Sequence, residues 1–122
     1  MFNIPVSNGE IIDKYTILEI KLKNINDEIK LKNIKSEHSL LKEFVVSLEK
    51  FNITGLLESL RKVNSELWEI EDKIREKEKI KDFGIDFIEL ARSVYKKNDE
   101  RFNVKNQINI QTNSDLKEEK SY

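Results

Sequence analysis

The sequence predicts an all-α fold, an antiparallel helical bundle of three to four long helices with a short non-helical N-terminus and a C-terminal tail. Three observations carry that prediction. Only three glycines and one proline occur among 122 residues, so few positions can interrupt a helix. Apolar residues recur at alternating steps of three and four over most of the chain, the period of a helix face packed against a neighbour. That pattern is punctuated at residues 24–27, 52–55 and 82–84, where Asn, Asp or Gly accumulate and read as turns.

Pro5 precedes the first helix signal. Ser7 is a good N-cap, Glu10 three positions later completes a capping box, and Val6 with Ile11 forms a hydrophobic staple. The first helix carries a seam of Ile11, Tyr15, Leu18, Leu22 and Ile25, with Ile12, Ile17 and Ile20 on its other faces. A helix that is apolar on most sides is surrounded by other helices, so this one is placed centrally. A second seam runs through Leu31, Ile34, His38, Leu41, Val45 and Leu48 to about Lys50. The break in register near Asp27 favours a separate helix; one continuous helix over 10–50 is the three-helix alternative. Thr54 is the expected N-cap of the third helix, whose seam is Leu56, Leu60, Val63, Leu67, Ile70 and Ile74. Glu58 with Lys62, Glu69 with Lys73 and Glu71 with Arg75 have the supportive i, i+4 order. Asp82, Phe83 and Gly84 turn the chain into the last helix, which ends near Thr112 with Asn113 suited to a left-handed conformation. One helical domain over residues 1–112 is expected, followed by a tail at 113–122.

Composition excludes several classes of function. Basic and acidic residues number 22 and 23 and alternate in sign, so no basic stripe for a phosphate backbone forms and no nucleic-acid partner is expected. No apolar run is long enough to cross a bilayer and the first residues lack a signal-peptide pattern, which predicts a cytoplasmic protein with no membrane partner. There is no cysteine and a single histidine, His38, so thiolate chemistry and His/Cys metal sites are excluded. No metal and no cofactor are expected.

Chemistry concentrates on the last helix. Ile88, Ala91, Val94, Tyr95, Phe102 and Ile108 define one broad arc, and Asn98 and Lys105 point into its centre. Lys105 either packs its stem inward and sends its ammonium to water, or is held inside by a carboxylate and helps recognise an anionic group. Glu19 on the first helix is the expected partner. Asn98 either fixes packing register or belongs to the same site. Arg92, Tyr95 and Asp99 occupy one flank and Arg101 the other, so Glu19, Arg92, Tyr95, Asn98, Asp99, Arg101 and Lys105 make up the candidate binding set. Glu66, Glu69 and Asp72 are similar to the carboxylate sets of helical Mg²⁺-dependent nucleotide pyrophosphatases. Those enzymes need a second acidic pair on the next helix, where this chain has Arg92, Lys96 and Arg101. His38 reads as a packed histidine at a seam and Trp68 as a packing residue beside one.

Pro5-Val6-Ser7, Gly9-Glu10, Asp13-Lys14 and residues 16–19 open a pattern that continues with Leu67-Trp68, Ile70-Glu71-Asp72, Arg75, residues 82–84 and 87–95, Asn98-Asp99 and Arg101. It closes on Glu118, Glu119, Lys120, Ser121 and Tyr122. Together these resemble a family of small bacterial and viral helical proteins classed as a domain of unknown function. The resemblance implies a setting among surface-carbohydrate genes, near sugar or nucleotide-sugar metabolism. It also directs attention to the tail, where Lys120 and Tyr122 are candidates for docking back onto the last helix.

The expected function is a non-catalytic binding or assembly module whose inward polar site suits an anionic group. A small enzyme acting on an anionic metabolite, with Glu19 transferring a proton, is one alternative; a structural helical oligomer is the other. The partners that fit are a second copy in a homodimer, another protein, or an anionic small molecule.

Overall fold

In the computed structural model, residues 1–121 are described, and they form four helices: α1 (Asn8–Asn24), α2 (Glu28–Leu48), α3 (Thr54–Lys79) and α4 (Ile85–Gln111). Residues 25–27 separate α1 from α2, and Asp27 caps α2 by accepting from the Lys30 N–H at 2.9 Å. The continuous 10–50 helix is thereby replaced by an α1–α2 hairpin, because an Asx cap ends one helix and starts the next. Tyr15 stacks on His38 across the hairpin with ring centroids 4.5 Å apart. The second seam is realised in full: Ile34, Val45 and Leu48 are buried, with Leu31, His38 and Leu41 half-buried beside them.

A single 3₁₀ turn, Glu49–Phe51, leads to Asn52 in the left-handed region with φ 57°. Gln111 at the end of α4 donates to the carbonyls of Phe51 and Asn52 at 2.8 and 2.9 Å, tying this corner to the far end of the chain. α3 starts one residue earlier than the Thr54 cap would place it: Ile53 is the N-cap, is buried, and offers no capping side chain. Burial of Ile53 in the core replaces the hydroxyl cap.

α3 and α4 form a long antiparallel hairpin, linked at its tip by Lys77 to Asp82 (3.1 Å) and midway by Lys97 to Glu66 (2.6 Å). α1 runs antiparallel to α4 and also crosses α3, so it is the central helix that touches the other three. The core, built from Ile12, Tyr15, Val45, Leu48, Ile53, Leu60, Val63 and Ile108, lies at the end of the bundle where all four helices meet.

The start of α1 explains how this end is closed. Three of its opening N–H groups have no partner within the helix. Asn8 N donates to Ser114 Oγ (3.1 Å), Gly9 N to Asn109 Oδ1 (2.6 Å) and Glu10 N to Ser7 Oγ (3.2 Å). Only half of the capping box forms, because the Glu10 carboxylate turns to Lys105 instead. The staple is open as well, with Val6 exposed. Gly9 permits the close approach of α1 to α4: a Cβ there would stand 2.5 Å from the Lys105 carbonyl oxygen.

The expected apolar arc of α4 is buried only at one end. Ile108 is fully buried, whereas Ile88 and Tyr95 are 49% and 55% exposed. Helix lengths account for Ile88, whereas Tyr95 sits on a flank of α4 turned about 120° from Arg101. α1 has 17 residues and α4 has 27, about 26 against 40 Å at 1.5 Å per residue. The outer part of the α3–α4 hairpin therefore projects beyond the helix that covers its base.

Candidate functional site

Asp13, one turn into α1, is completely buried. A carboxylate in that position requires charged or polar partners, and two helices supply them. Arg101 of α4 grips it with two bonds, Nε to Oδ1 at 2.9 Å and Nη2 to Oδ2 at 2.5 Å. Asn64 of α3 donates to Oδ1 at 3.0 Å and to Thr16 Oγ1 at 2.9 Å, while Thr16 donates to the Asp13 carbonyl at 2.8 Å. One turn further along α4, the Lys105 ammonium meets Glu10 at 2.8 Å and Glu118 of the tail at 3.0 Å, with Asp13 at 3.8 Å. Asn98 accepts from Arg101 Nη1 at 3.5 Å. No buried side-chain nitrogen or oxygen among the described residues lacks a hydrogen-bond partner.

The electrostatics follow the geometry. Burial pulls the Lys105 ammonium toward deprotonation, but its hydrogen bonds to Glu10 and Glu118 and the charge of Asp13 outweigh that and hold it above the usual lysine value. Arg101 is likewise raised, first by its bonds to Asp13.

Beside this network the α3–α4 hairpin forms an open groove of about 580 Å³. Ile17, Leu67 and the half-buried Trp68 give it apolar lining, and Asn64, which bonds Asp13, also lines it. Glu71, Asp72 and Arg75 line it from α3, and Asn98 and Arg101 from α4. A smaller pocket of about 240 Å³ lies on the other side of Asn98 and Arg101, against the tail.

The family of unknown function DUF6165 matches residues 2–122. The chain belongs to this family. No curated protein and no solved structure matches it.

In this DUF6165 chain only some of the candidate residues come together. Asn98, Arg101 and Lys105 share the network, and Asp99 sits beside it, 3.4 Å from Lys120 of the tail. Lys120 also lies over the Phe102 ring, 5.3 Å from its centroid. Tyr122 lies outside the described residues. Glu19 is not the partner of Lys105. It faces α3 and accepts two bonds of 3.1 Å from Arg61, because its place on α1 is turned about 120° from Asp13. Arg92 and Tyr95 lie outside the network, both exposed, with Arg92 3.7 Å from Glu89. Of the acidic run on α3, Glu66 is spent on Lys97 and Asp72 faces the groove.

Sequence reasoning misses Asp13, Asn64 and the tail's Glu118 as members of the network, and Glu10 as a partner of Lys105. One signal was available for Asp13. A helix that is apolar on most sides leaves no solvent face, so an acid among Ile12, Tyr15 and Thr16 falls inside.

Proposed function

We propose that this chain is a non-catalytic binding module, and that its ligand site is the α3–α4 groove lined by Trp68. The groove's composition carries the proposal. An indole face suits stacking against a ring, Glu71, Asp72 and Asn98 can take hydroxyl hydrogens, and Arg75 offers a planar fork to a carboxylate or phosphate. The ligand that fits is a hydroxyl-rich small molecule bearing an anionic group, in keeping with a role near sugar or nucleotide-sugar metabolism. The neighbouring network serves as a rigid wall, since Arg101 is held in place by Asp13. Catalysis is disfavoured because Glu19, the proposed proton carrier, is bound to Arg61 and turned away from Lys105.

Trp68 is the chain's only tryptophan, so its emission reports on the groove directly. Titration with UDP-glucose, glucose 1-phosphate and glucuronate is expected to give a saturable change with at least one of them, weakened about tenfold or more in Arg75→Gln. The absence of a saturable change and of any shift in melting temperature with all three would refute the proposal. Unchanged ligand after long incubation separates a binder from an enzyme.

The proposal also includes a cytoplasmic location and a homodimer joined along the exposed Ile88 and Tyr95 face of α4. No helix among the described residues is long and apolar enough to cross a membrane. In an antiparallel pair centred near Tyr95, Arg92 of each copy would meet Asp99 of the other. Sedimentation of the wild type and of Tyr95→Asp tests the pairing, and a monomeric wild type at 100-micromolar order would end it.

A further inference from the structure

The small pocket beyond Asn98 and Arg101 is lined by those two residues, Phe102, Lys105, Glu118 and Lys120. Three of the six are cations. Among the described lining residues the anion is Glu118, which is supplied by the tail and not by a helix. Its carboxylate is 3.0 Å from the Lys105 ammonium, and its side chain is 45% exposed where that of Lys105 is 7% exposed.

Charge and connectivity distinguish Glu118 from the other carboxylates. Asp13 faces Arg101, Glu10 faces Lys105 and Asp99 faces Lys120, so Glu118 is a further carboxylate added to cations that each have one already. Asp13 is fixed by a helix and by bonds from Arg101 and Asn64. Glu118 stands in a segment without helix, after Ser114, the last buried residue in the described part of the tail. Ser114 anchors the tail by accepting from Asn8 N and donating to the Leu116 carbonyl at 2.7 Å. Beyond that anchor the described tail returns to α4 through side chains, Glu118 on Lys105 and Lys120 on Asp99 and the Phe102 ring.

We infer that this pocket is a subsite for a carboxylate or phosphate oxygen, and that Glu118 is an internal occupant which the ligand's anionic group displaces. Lys105 Nζ would be the first contact of the incoming anion, with Lys120 closing over it above the Phe102 ring. The inference rests on the reading of the groove, with which the subsite shares Asn98 and Arg101 as a common wall. It adds a selection rule. A tethered carboxylate competes at an effective concentration of about millimolar order, so a small free anion at lower concentration cannot replace it. A ligand that also stacks on Trp68 gains enough from the groove to do so. The tail thus makes the subsite respond to a molecule that bridges both compartments and ignore its isolated anionic fragment.

The test uses the full chain with Glu118→Gln, which keeps the shape and removes the charge while Glu10 still holds Lys105. Inorganic phosphate and, in a second arm, acetate are titrated against wild type and variant, following the backbone amide signals of residues 98–105 by NMR. The expected result is binding about tenfold tighter in the variant than in the wild type, with shifts centred on Lys105 and lost in the double variant with Lys120→Gln. The two arms report whether phosphate or carboxylate is the better fit. Equal affinity in wild type and Glu118→Gln, or shifts only at distant residues, would overturn the inference. Should the variant lose its fold, Glu118→Asp, which withdraws the same charge by one methylene, must bind phosphate more tightly than wild type or the inference fails. Because neither small anion needs the indole, adding Trp68→Phe to Glu118→Gln separates the two ideas: tightened phosphate binding that persists there upholds the subsite even where the groove fails its own titration.

Discussion

Replacing Asp13 with Asn tests how the bundle tolerates its most deeply placed charge. The change keeps size and shape but removes the countercharge of Arg101 and turns one acceptor oxygen into a donor. Three donor atoms now converge on the carboxylate, two from Arg101 and one from Asn64, so at least one N–H would face another. Breaking a buried ion pair from one side costs about 3–5 kcal/mol. The Arg101 side chain is 29% exposed and recovers some hydration, which places the expected loss near the lower end, about 3 kcal/mol. For a chain of this length that corresponds to a fall in melting temperature of roughly 10–15 °C. Urea unfolding followed by far-ultraviolet circular dichroism measures it, with the denaturant slope expected to stay constant. In a double-mutant cycle with Arg101→Met, the second change should cost little once Asp13 is gone, giving a coupling of about 2 kcal/mol or more. A loss under about 1 kcal/mol for Asp13→Asn, or strictly additive effects in the cycle, would show that the pair does not hold the helices together.

Gly9→Ala should destabilise by about 2–3 kcal/mol, because the new methyl meets the Lys105 carbonyl oxygen and forces α1 away from α4; a melting temperature unchanged within a degree would contradict the close approach. Lys81 adopts φ 54° at the α3–α4 turn, so Lys81→Gly should stabilise by about 0.5–1 kcal/mol as relief of left-handed strain exceeds the added chain entropy, readable as a higher urea midpoint. The contribution of Lys105 should depend on pH in one direction only. Its folded pKa lies above the unfolded value near 10.5, so its pairing is fully present below that pH and fades as pH rises through the folded value. The stability difference between wild type and Lys105→Met is therefore expected to be flat from neutral pH to about 10 and to shrink above it, as tracked by urea midpoints at each pH.

What could be read from the sequence was local. The α2 seam and the turns at Asp27 and Asp82 depend on spacing and capping within a few residues, and these fall where the pattern puts them. Glu10 shows the limit. Its spacing from Ser7 announces a reciprocal cap, but an ammonium 95 residues away takes the carboxylate. No local pattern contains that competition. The α4 arc illustrates a second limit, since periodicity reveals that a face is apolar without revealing whether a neighbour is long enough to cover it. α1 stops at Asn24 and leaves Ile88 open. Lys105 was legible as an inward residue from its place on that arc, and its partners were not, because Glu10, Asp13 and Glu118 come from the two ends of the chain.

The joining of those ends has a consequence for how the protein acquires its shape during synthesis. Asp13 waits for Arg101, 88 residues later, and the Asn8 N–H waits for Ser114, 106 residues later. At a translation rate of about 5–20 residues per second, α1 is made roughly 4–18 s before its counter-ion exists. During that interval an α1–α2 hairpin can form, but docking it so as to enclose Asp13 would bury an uncompensated carboxylate. The buried acid therefore penalises any closure of the core that precedes the last helix, and that closure has a large loop to span.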